Sequence, residues 1–460
     1  MIHYISTRGD APPLSFADML LGAVAPDGGL YMPESWPFTE IARFEGVEFG
    51  GAALSVLSRF ATGCFNESEL RADIESAYGG FDNDDIAPLV ELEPGLHLLE
   101  LFHGPTLAFK DIALQLLARL VVRELARRNA RATILVATSG DTGSAAIAAF
   151  GGLPPVEVIV LHPQGRVSEV QRRQMTTSPH ANVHNVAIEG TFDDAQALVK
   201  TLFADREFAQ GMSLIAVNSI NFARIIAQSV YYFTATAKLG GPARFVVPTG
   251  NFGDIFAGEA ASRMGLPLEG LVAATNANDI LVRALNNGVY GVAEAQATFS
   301  PSMDIQVASN FERALFEASG RDAAWLCAAM DSFGRERQLT IPPAVLATLR
   351  ARYRAEAVSD EETLETMRDA HLRHGRFIDP HTAVGLAVAR RFDRLTDVPT
   401  VVLATADAAK FPETVVRATG MVPPLPPRLG QSYVRTERMS VLPPETQPLR
   451  LFIETVNHER

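Results

Sequence analysis

Short apolar runs bounded by Gly and Pro alternate with segments of helical period through the middle of this chain. The runs at 132–136, 156–161, 214–217 and 245–247 predict strands buried on both faces, because a half-exposed strand would alternate apolar and polar residues. The segments at 143–150, 192–203, 221–237 and 254–263 predict the helices that follow them, and the rhythm returns at 400–403. Strands alternating with helices indicate an α/β fold, with parallel or mixed sheets covered by helices on both faces. Residues 342–374 read as amphipathic helix whose many Arg and Glu form a solvated face. The first ninety residues are less regular and predict an extra N-terminal layer. Residues 423–448 hold seven prolines, which predicts an extended tail along the surface. The divisions expected are therefore 1–90, 91–235, 236–420 and a Pro-rich tail at 421–460.

Composition narrows the function classes. A length of 460 residues is enough for two or three domains. With 47% hydrophobic and 20% charged residues, the composition suits a soluble globular chain. No apolar run reaches the length of a membrane span, and the start Met1-Ile2-His3-Tyr4-Ile5 lacks the basic and apolar regions of a secretory signal. A cytoplasmic location is the expectation. Cys64 and Cys327 have no metal-ligand spacing and form no disulfide framework. The net charge of −13 argues against a nucleic-acid partner, which calls for a basic stripe. A small anionic ligand remains compatible, since backbone dipoles and a few arginines can hold one locally.

Candidate chemistry begins with scarcity. Among 40 basic residues only four are lysines: Lys110, Lys200, Lys238 and Lys410. Lys110 alone follows a Gly-Pro turn and an aromatic residue, in His103-Gly104-Pro105-Thr106-Leu107-Ala108-Phe109-Lys110-Asp111. Partial desolvation there would lower its pKa and free a neutral amine to attack a carbonyl; the plainer reading is a surface lysine at a helix start. Three turns then stand at strand-to-helix junctions, where open α/β sheets bind ligands. They are Thr138-Ser139-Gly140-Asp141-Thr142-Gly143, Val217-Asn218-Ser219-Ile220-Asn221 followed by Arg224, and Pro248-Thr249-Gly250-Asn251-Phe252-Gly253-Asp254. Each alone reads equally as an ordinary βα turn. Together with Lys110 they point to a site for an anionic cofactor and an anionic substrate. None is a phosphate loop of the Gly-Lys-Ser/Thr kind or a full dinucleotide fingerprint, which weakens a nucleotide-binding reading.

In combination these segments resemble the threonine synthase family, in the longer form of bacteria and fungi. The resemblance also rests on Tyr4-Ile5-Ser6-Thr7-Arg8-Gly9, Asp27-Gly28-Gly29-Leu30-Tyr31, Ser302-Met303-Asp304-Ile305, Ser309-Asn310-Phe311-Glu312-Arg313 and Asp379-Pro380-His381-Thr382-Ala383, and it runs to about residue 420. It implies the tryptophan synthase β-like fold (fold type II) and the cofactor pyridoxal 5'-phosphate (PLP). It implies a lyase that converts O-phospho-L-homoserine and water to L-threonine and phosphate, the last step of threonine biosynthesis. Lys110 would carry PLP through an imine and shuttle protons, with Phe109 and Asp141 beside the cofactor. Gly250, Asn251, Phe252, Gly253 and Asp254 would form the cofactor-phosphate loop. Ser139, Gly140 and Thr142 would hold the substrate carboxylate, while Asn218, Ser219 and Arg224 would hold its phosphate, helped by Thr142. Thr405 would meet the pyridine nitrogen. No metal is implied, and the oligomeric state, monomer or dimer, stays open.

The chain departs from the family pattern after Thr405-Ala406, where Asp407-Ala408 replaces His-Pro ahead of Ala409-Lys410-Phe411. Lys410 is the rival to Lys110 by composition, and its late position reads as a helix-start or structural lysine. A serine/threonine dehydratase would share Lys110 and the glycine turns but would not need Arg224. A non-catalytic, phosphate-ligand-binding relative would keep the fold without turnover.

Overall fold

The computed structural model describes residues 2–22, 24–392 and 398–458. Two sheets carry the architecture. The first has five strands in the order Ser440–Leu442, Val183–Ile188, Val156–Pro163, Ala132–Ala137, Leu214–Ile215, all pairing in parallel. The second has six, in the order Tyr353–Ala357, Leu268–Thr275, Ala243–Pro248, Thr400–Ala404, Leu96–Glu100, Leu89–Glu93. It is parallel except for the antiparallel hairpin formed by its last two strands. Burial explains the apolar runs: all eight residues of Val156–Pro163 and all five of Thr400–Ala404 are buried, as expected for strands covered on both faces.

Helix Phe222–Leu239 lies in the main core and is buried over almost its whole length. Asn221 caps it by accepting from the Ala223 N–H, and its amide donates to Leu20 O at 3.0 Å. Gly240 ends it in the left-handed region at φ 70°, the usual helix stop. Helices Phe49–Phe60 and Glu67–Tyr78 of the N-terminal layer pack against Phe222–Leu239 and Lys110–Arg127. Phe222 meets the rings of Tyr4, Trp36 and Phe60, so the layer shares the main core.

Three expectations change. Residues 342–374 are two helices, Pro343–Arg350 and Asp360–His374, separated by the strand Tyr353–Ala357. That strand lies at the sheet edge and alternates Arg354 and Glu356 with buried neighbours, a polar pattern that resembles a helix face. Strand Leu96–Glu100 pairs with Thr400–Ala404, and Leu89–Glu93 pairs with Leu96–Glu100, neither with the sheet of 132–215, so the chain crosses between sheets after residue 100. The Pro-rich segment is no simple extended tail. It forms helix Pro427–Val434, adds Ser440–Leu442 to the first sheet and leads into helix Thr446–His458. Pro426, Pro427 and Pro448 stand at helix starts, where a missing N–H costs nothing.

Leu449 and Ile453 of the final helix are fully buried against the first sheet. Leu449→Ala is expected to cost about 2–5 kcal/mol, read as a lower denaturant midpoint at unchanged slope. A change within about 0.5 kcal/mol would show that this helix is peripheral.

Candidate active site

Lys110 is the first residue of helix Lys110–Arg127, and the loop before it is held from several sides. Thr106 donates to the Asp111 carboxylate through its N–H and its hydroxyl, both at 2.7 Å. Thr106 O accepts from Lys410 Nζ at 2.8 Å and Gln174 Nε2 at 3.1 Å. A Cβ on Gly104 would lie 2.4 Å from that of Asp111, so only glycine allows this closure. Phe109 N–H donates to Thr405 O at 2.9 Å and Asp407 N–H to Leu107 O at 3.1 Å. The segment after the late strand is thereby bonded directly to the residues before Lys110.

Two lysines flank one carboxylate. Asp141 begins helix Asp141–Phe150 and is 4% exposed. Its Oδ2 lies 3.5 Å from Lys110 Nζ and its Oδ1 lies 2.8 Å from Lys410 Nζ. Gln171 Nε2 donates to Oδ1 at 2.9 Å and Ser302 Oγ to Oδ2 at 3.4 Å. Burial works to raise the Asp141 carboxyl, but Lys410 and Lys110 outweigh it and hold it well below the carboxylate range. Burial pushes the Lys110 amine down; Asp141 opposes this, while Lys410 and Arg224 add to it. Lys110 Nζ also lies 4.6 Å from the Phe109 ring centroid. A buried amine with a depressed pKa beside a fixed counter-ion is what a nucleophilic or proton-shuttling lysine requires.

The glycine turns close around this pair. A Cβ on Gly250 would lie 2.7 Å from Ser302 O, and one on Gly253 would lie 3.2 Å from Asn310 Nδ2 and 3.4 Å from Ser219 Cβ. The second and third turns are therefore in contact. Phe252 starts helix Gly253–Arg263 from the left-handed region at φ 63° and supplies no side-chain cap, which leaves first-turn N–H groups for an anion. Arg224 is 3% exposed; its Nη1 donates to Val217 O at 3.2 Å. The buried Arg224 Nε, Asn218 Oδ1 and Asp254 Oδ2 have no hydrogen-bond partner among the described residues. Burial lowers Arg224 to about 10, against Tyr231 and Asp254, so it stays charged at neutral pH. A glycine cradle at an uncapped helix start, a buried amine and the unpartnered Arg224 Nε fit a phosphate-bearing aldehyde and a second anionic group.

Behind these turns, Arg313 has no solvent exposure. Its guanidinium donates to Tyr31 O at 3.2 Å, to Ile220 O at 2.6 Å and to Asn310 Oδ1. Asn310 in turn donates to Asn251 O at 3.1 Å. One cation thus links the N-terminal layer and both anion turns. Beside it, Glu312 accepts from Thr7 Oγ1 at 2.6 Å and pairs with Arg8 at 3.0 Å.

The structure brings together Lys110, Phe109, Asp141 and Thr405, and separately Gly250, Gly253, Ser219 and Asn251 through Asn310. Ser302 joins the two groups. The Phe252 side chain is 1% exposed and packs on Phe311 and Tyr353, so only its backbone is offered to the loop. Gly140, at φ 145°, is closed over by Gln171: a Cβ there would lie 2.5 Å from its amide carbon. Ser139 and Thr142 are half-buried on the same turn. Of the two readings of Lys410, helix-start or structural, the structural one fits, because the side chain is fully buried and bonded to Asp141. Sequence reasoning gave no role to Gln171 or His381. The latter accepts from Ser302 N–H at Nε2 (3.2 Å) while its Nδ1 meets Asp379 at 2.8 Å, which sets the tautomer and fixes Ser302.

Asp254 is held through one oxygen by Tyr231 and Tyr232. Both hydroxyls reach its carboxylate and Tyr232 also donates to its backbone O at 3.0 Å. Burial raises it to about 7, against Tyr231 and Lys110. An unfolded chain releases this proton near pH 4. The folded chain therefore gains stability that is complete below about pH 4 and lost as pH rises to about 7. In the cofactor-free chain, Asp254→Asn should remove this decline, measured as denaturant midpoints at pH 5 and 7.5. An identical pH dependence in the variant would mean that the carboxyl is ionised throughout.

Residues 3–78 match the threonine synthase N terminus, residues 87–352 the pyridoxal-phosphate dependent enzyme family and residues 382–453 the threonine synthase C-terminal family. A threonine synthase of Pseudomonas aeruginosa is 48% identical over 459 residues, with 98% of each chain covered. Among solved structures, PLP-bound threonine synthase from Brucella melitensis superposes with a TM-score of 0.96 at 48% identity, covering 99% of both chains. Threonine synthase from yeast superposes at 0.93 and 34% identity, covering 100% of this chain and 99% of that one. This chain belongs to the threonine synthase family of pyridoxal-phosphate-dependent enzymes.

Proposed function

We propose that this chain converts O-phospho-L-homoserine and water to L-threonine and phosphate, with Lys110 as its catalytic amine. The observation that carries the residue assignment is the buried Lys110 amine, depressed by burial and 3.5 Å from Asp141, where the anion turns converge. Gly250, Asn251 and Gly253 would hold the cofactor phosphate through backbone N–H groups at the start of helix Gly253–Arg263. Bound PLP supplies a conjugated ring that delocalises the electron pair left when a proton departs from the carbon bearing the amine. Lys110 takes that proton and returns protons later, as an amine that is neutral for part of the cycle. Asp141 holds the protonated lysine between these events. Thr405 would offer a neutral hydroxyl to the pyridine nitrogen.

The substrate has two anionic ends, and the chain has separate turns for them. Ser139, Gly140 and Thr142 take the carboxylate. Asn218, Ser219 and Arg224 take the phosphate, for which the planar guanidinium is suited by its parallel N–H donors. Loss of phosphate from the γ-carbon is assisted by this positive field, and water then adds at the β-carbon. A dehydratase substrate carries no phosphate and gives no use to a buried arginine with an unpartnered Nε.

The primary assay is phosphate release from O-phospho-L-homoserine by the PLP-loaded chain, with equal amounts of threonine expected. Lys110→Ala should abolish both the turnover and the visible band of lysine-bound cofactor. A variant that kept the band would exclude Lys110 as the carrier, whereas a wild-type chain that formed the band but released no phosphate would exclude this substrate. Arg224→Ala should raise KM for the phosphorylated substrate about 10- to 100-fold and change PLP affinity much less. Equal loss of both would make Arg224 a support of the fold.

A further inference from the structure

The second lysine of the site has no part in the reaction as derived above, and its surroundings are unusually defined. Lys410 is fully buried in the short turn Ala408–Lys410. Its ammonium donates to Thr106 O and lies against Asp141 Oδ1, both at 2.8 Å. Asp407 caps the turn by accepting from Ala409 N–H at 2.8 Å, while its own N–H bonds Leu107 O at 3.1 Å. Asp407 stands where the family pattern has His, and the capping carboxylate is what this chain uses to fix the turn that carries Lys410.

The two amines are unequal. Lys110 keeps 12% side-chain exposure and contacts Asp141 at 3.5 Å, whereas Lys410 keeps none and has two oxygen acceptors at 2.8 Å. Two cations share the Asp141 carboxylate, and Lys110, with the weaker contacts and an amine pushed down by burial, is the one poised to give up a proton. The charged groups facing Lys110 are Asp141, Lys410, Arg224 and, from helix Gly253–Arg263, Asp254. Those facing Lys410 are Lys110, Asp141, Asp111 and Asp407.

We propose that Lys410 is a positioning residue for the reacting amine: its ammonium occupies one oxygen of Asp141, so Lys110 shares only the other and its nitrogen is released to the cofactor. The proposal rests on Lys110 being the PLP-carrying lysine. It predicts that Lys410 acts on the proton equilibrium of Lys110 and not merely on the shape of the Thr106 loop.

The test uses the full-length chain, stripped of cofactor and reloaded with PLP, and follows the rate at which the visible band of lysine-bound PLP appears across pH. Lys410→Met removes the charge and keeps the length. Its midpoint should move up by about one pH unit, so that uptake is about tenfold slower at pH 7.5 and close to wild type near pH 10. Lys410→Arg keeps the charge and should restore the wild-type midpoint. Lys410→Gln retains a donor for Thr106 O, so it tests the same shift if the methionine variant does not fold. An unchanged midpoint in a folded uncharged variant would overturn the proposal, as would uptake slowed equally at every pH. Persistence of the band in Lys110→Ala would instead overturn the assignment of Lys110, which keeps the two failures distinct.

Discussion

The Asp141 carboxylate is the interaction around which the chemistry of this fold is arranged. A buried charge is tolerated only when its partners are also in place, and those partners come from distant parts of the chain. Lys110 arrives on a helix start, Lys410 on a late turn, Gln171 on the helix after the third strand of the first sheet's core, and Ser302 on the loop that also closes over Gly250. Each of these elements is set by the sheets, and each must be correctly placed for the carboxylate to be satisfied. The site is consequently a check on the assembly of both sheets.

The same logic explains why the N-terminal layer belongs to the site without touching its centre. Arg313 needs oxygens for a guanidinium with no access to water, and Tyr31 O is one of them. The others lie at the turn 217–221 and beside the turn 248–254. Removing the layer would leave a buried cation short of an acceptor, at a cost of about 1–3 kcal/mol or more for a charged group. Burial already lowers Arg313 to about 9.

Much of this was legible in the sequence because parallel strands buried on both faces leave plain apolar runs, and because glycines at strand ends mark close backbone approach. The strands at 132, 156, 243 and 400 and the turns that follow them emerged that way. Other features were hidden for physical reasons. The edge strand Tyr353–Ala357 carries Arg354 and Glu356 and so looked like a helix face. The C-terminal segment was judged by its prolines, although helix Thr446–His458 buries Leu449 and Ile453 as an ordinary amphipathic helix does. Lys410 could not be linked to Asp141, because no periodicity connects residues that meet only through tertiary pairing.

The scarcity of lysine has a consequence for selectivity. An aldehyde condenses with any accessible neutral amine but not with a guanidinium, which stays protonated and has no free electron pair to offer. Of the four lysines, Lys410 is fully buried, Lys238 is paired with Asp85 at 2.9 Å and Lys200 lies on the surface. A surface whose positive charge is nearly all arginine presents few side-chain amines to stray carbonyl compounds. The reactive nitrogen thus stands out by the near-absence of competitors as well as by its own activation.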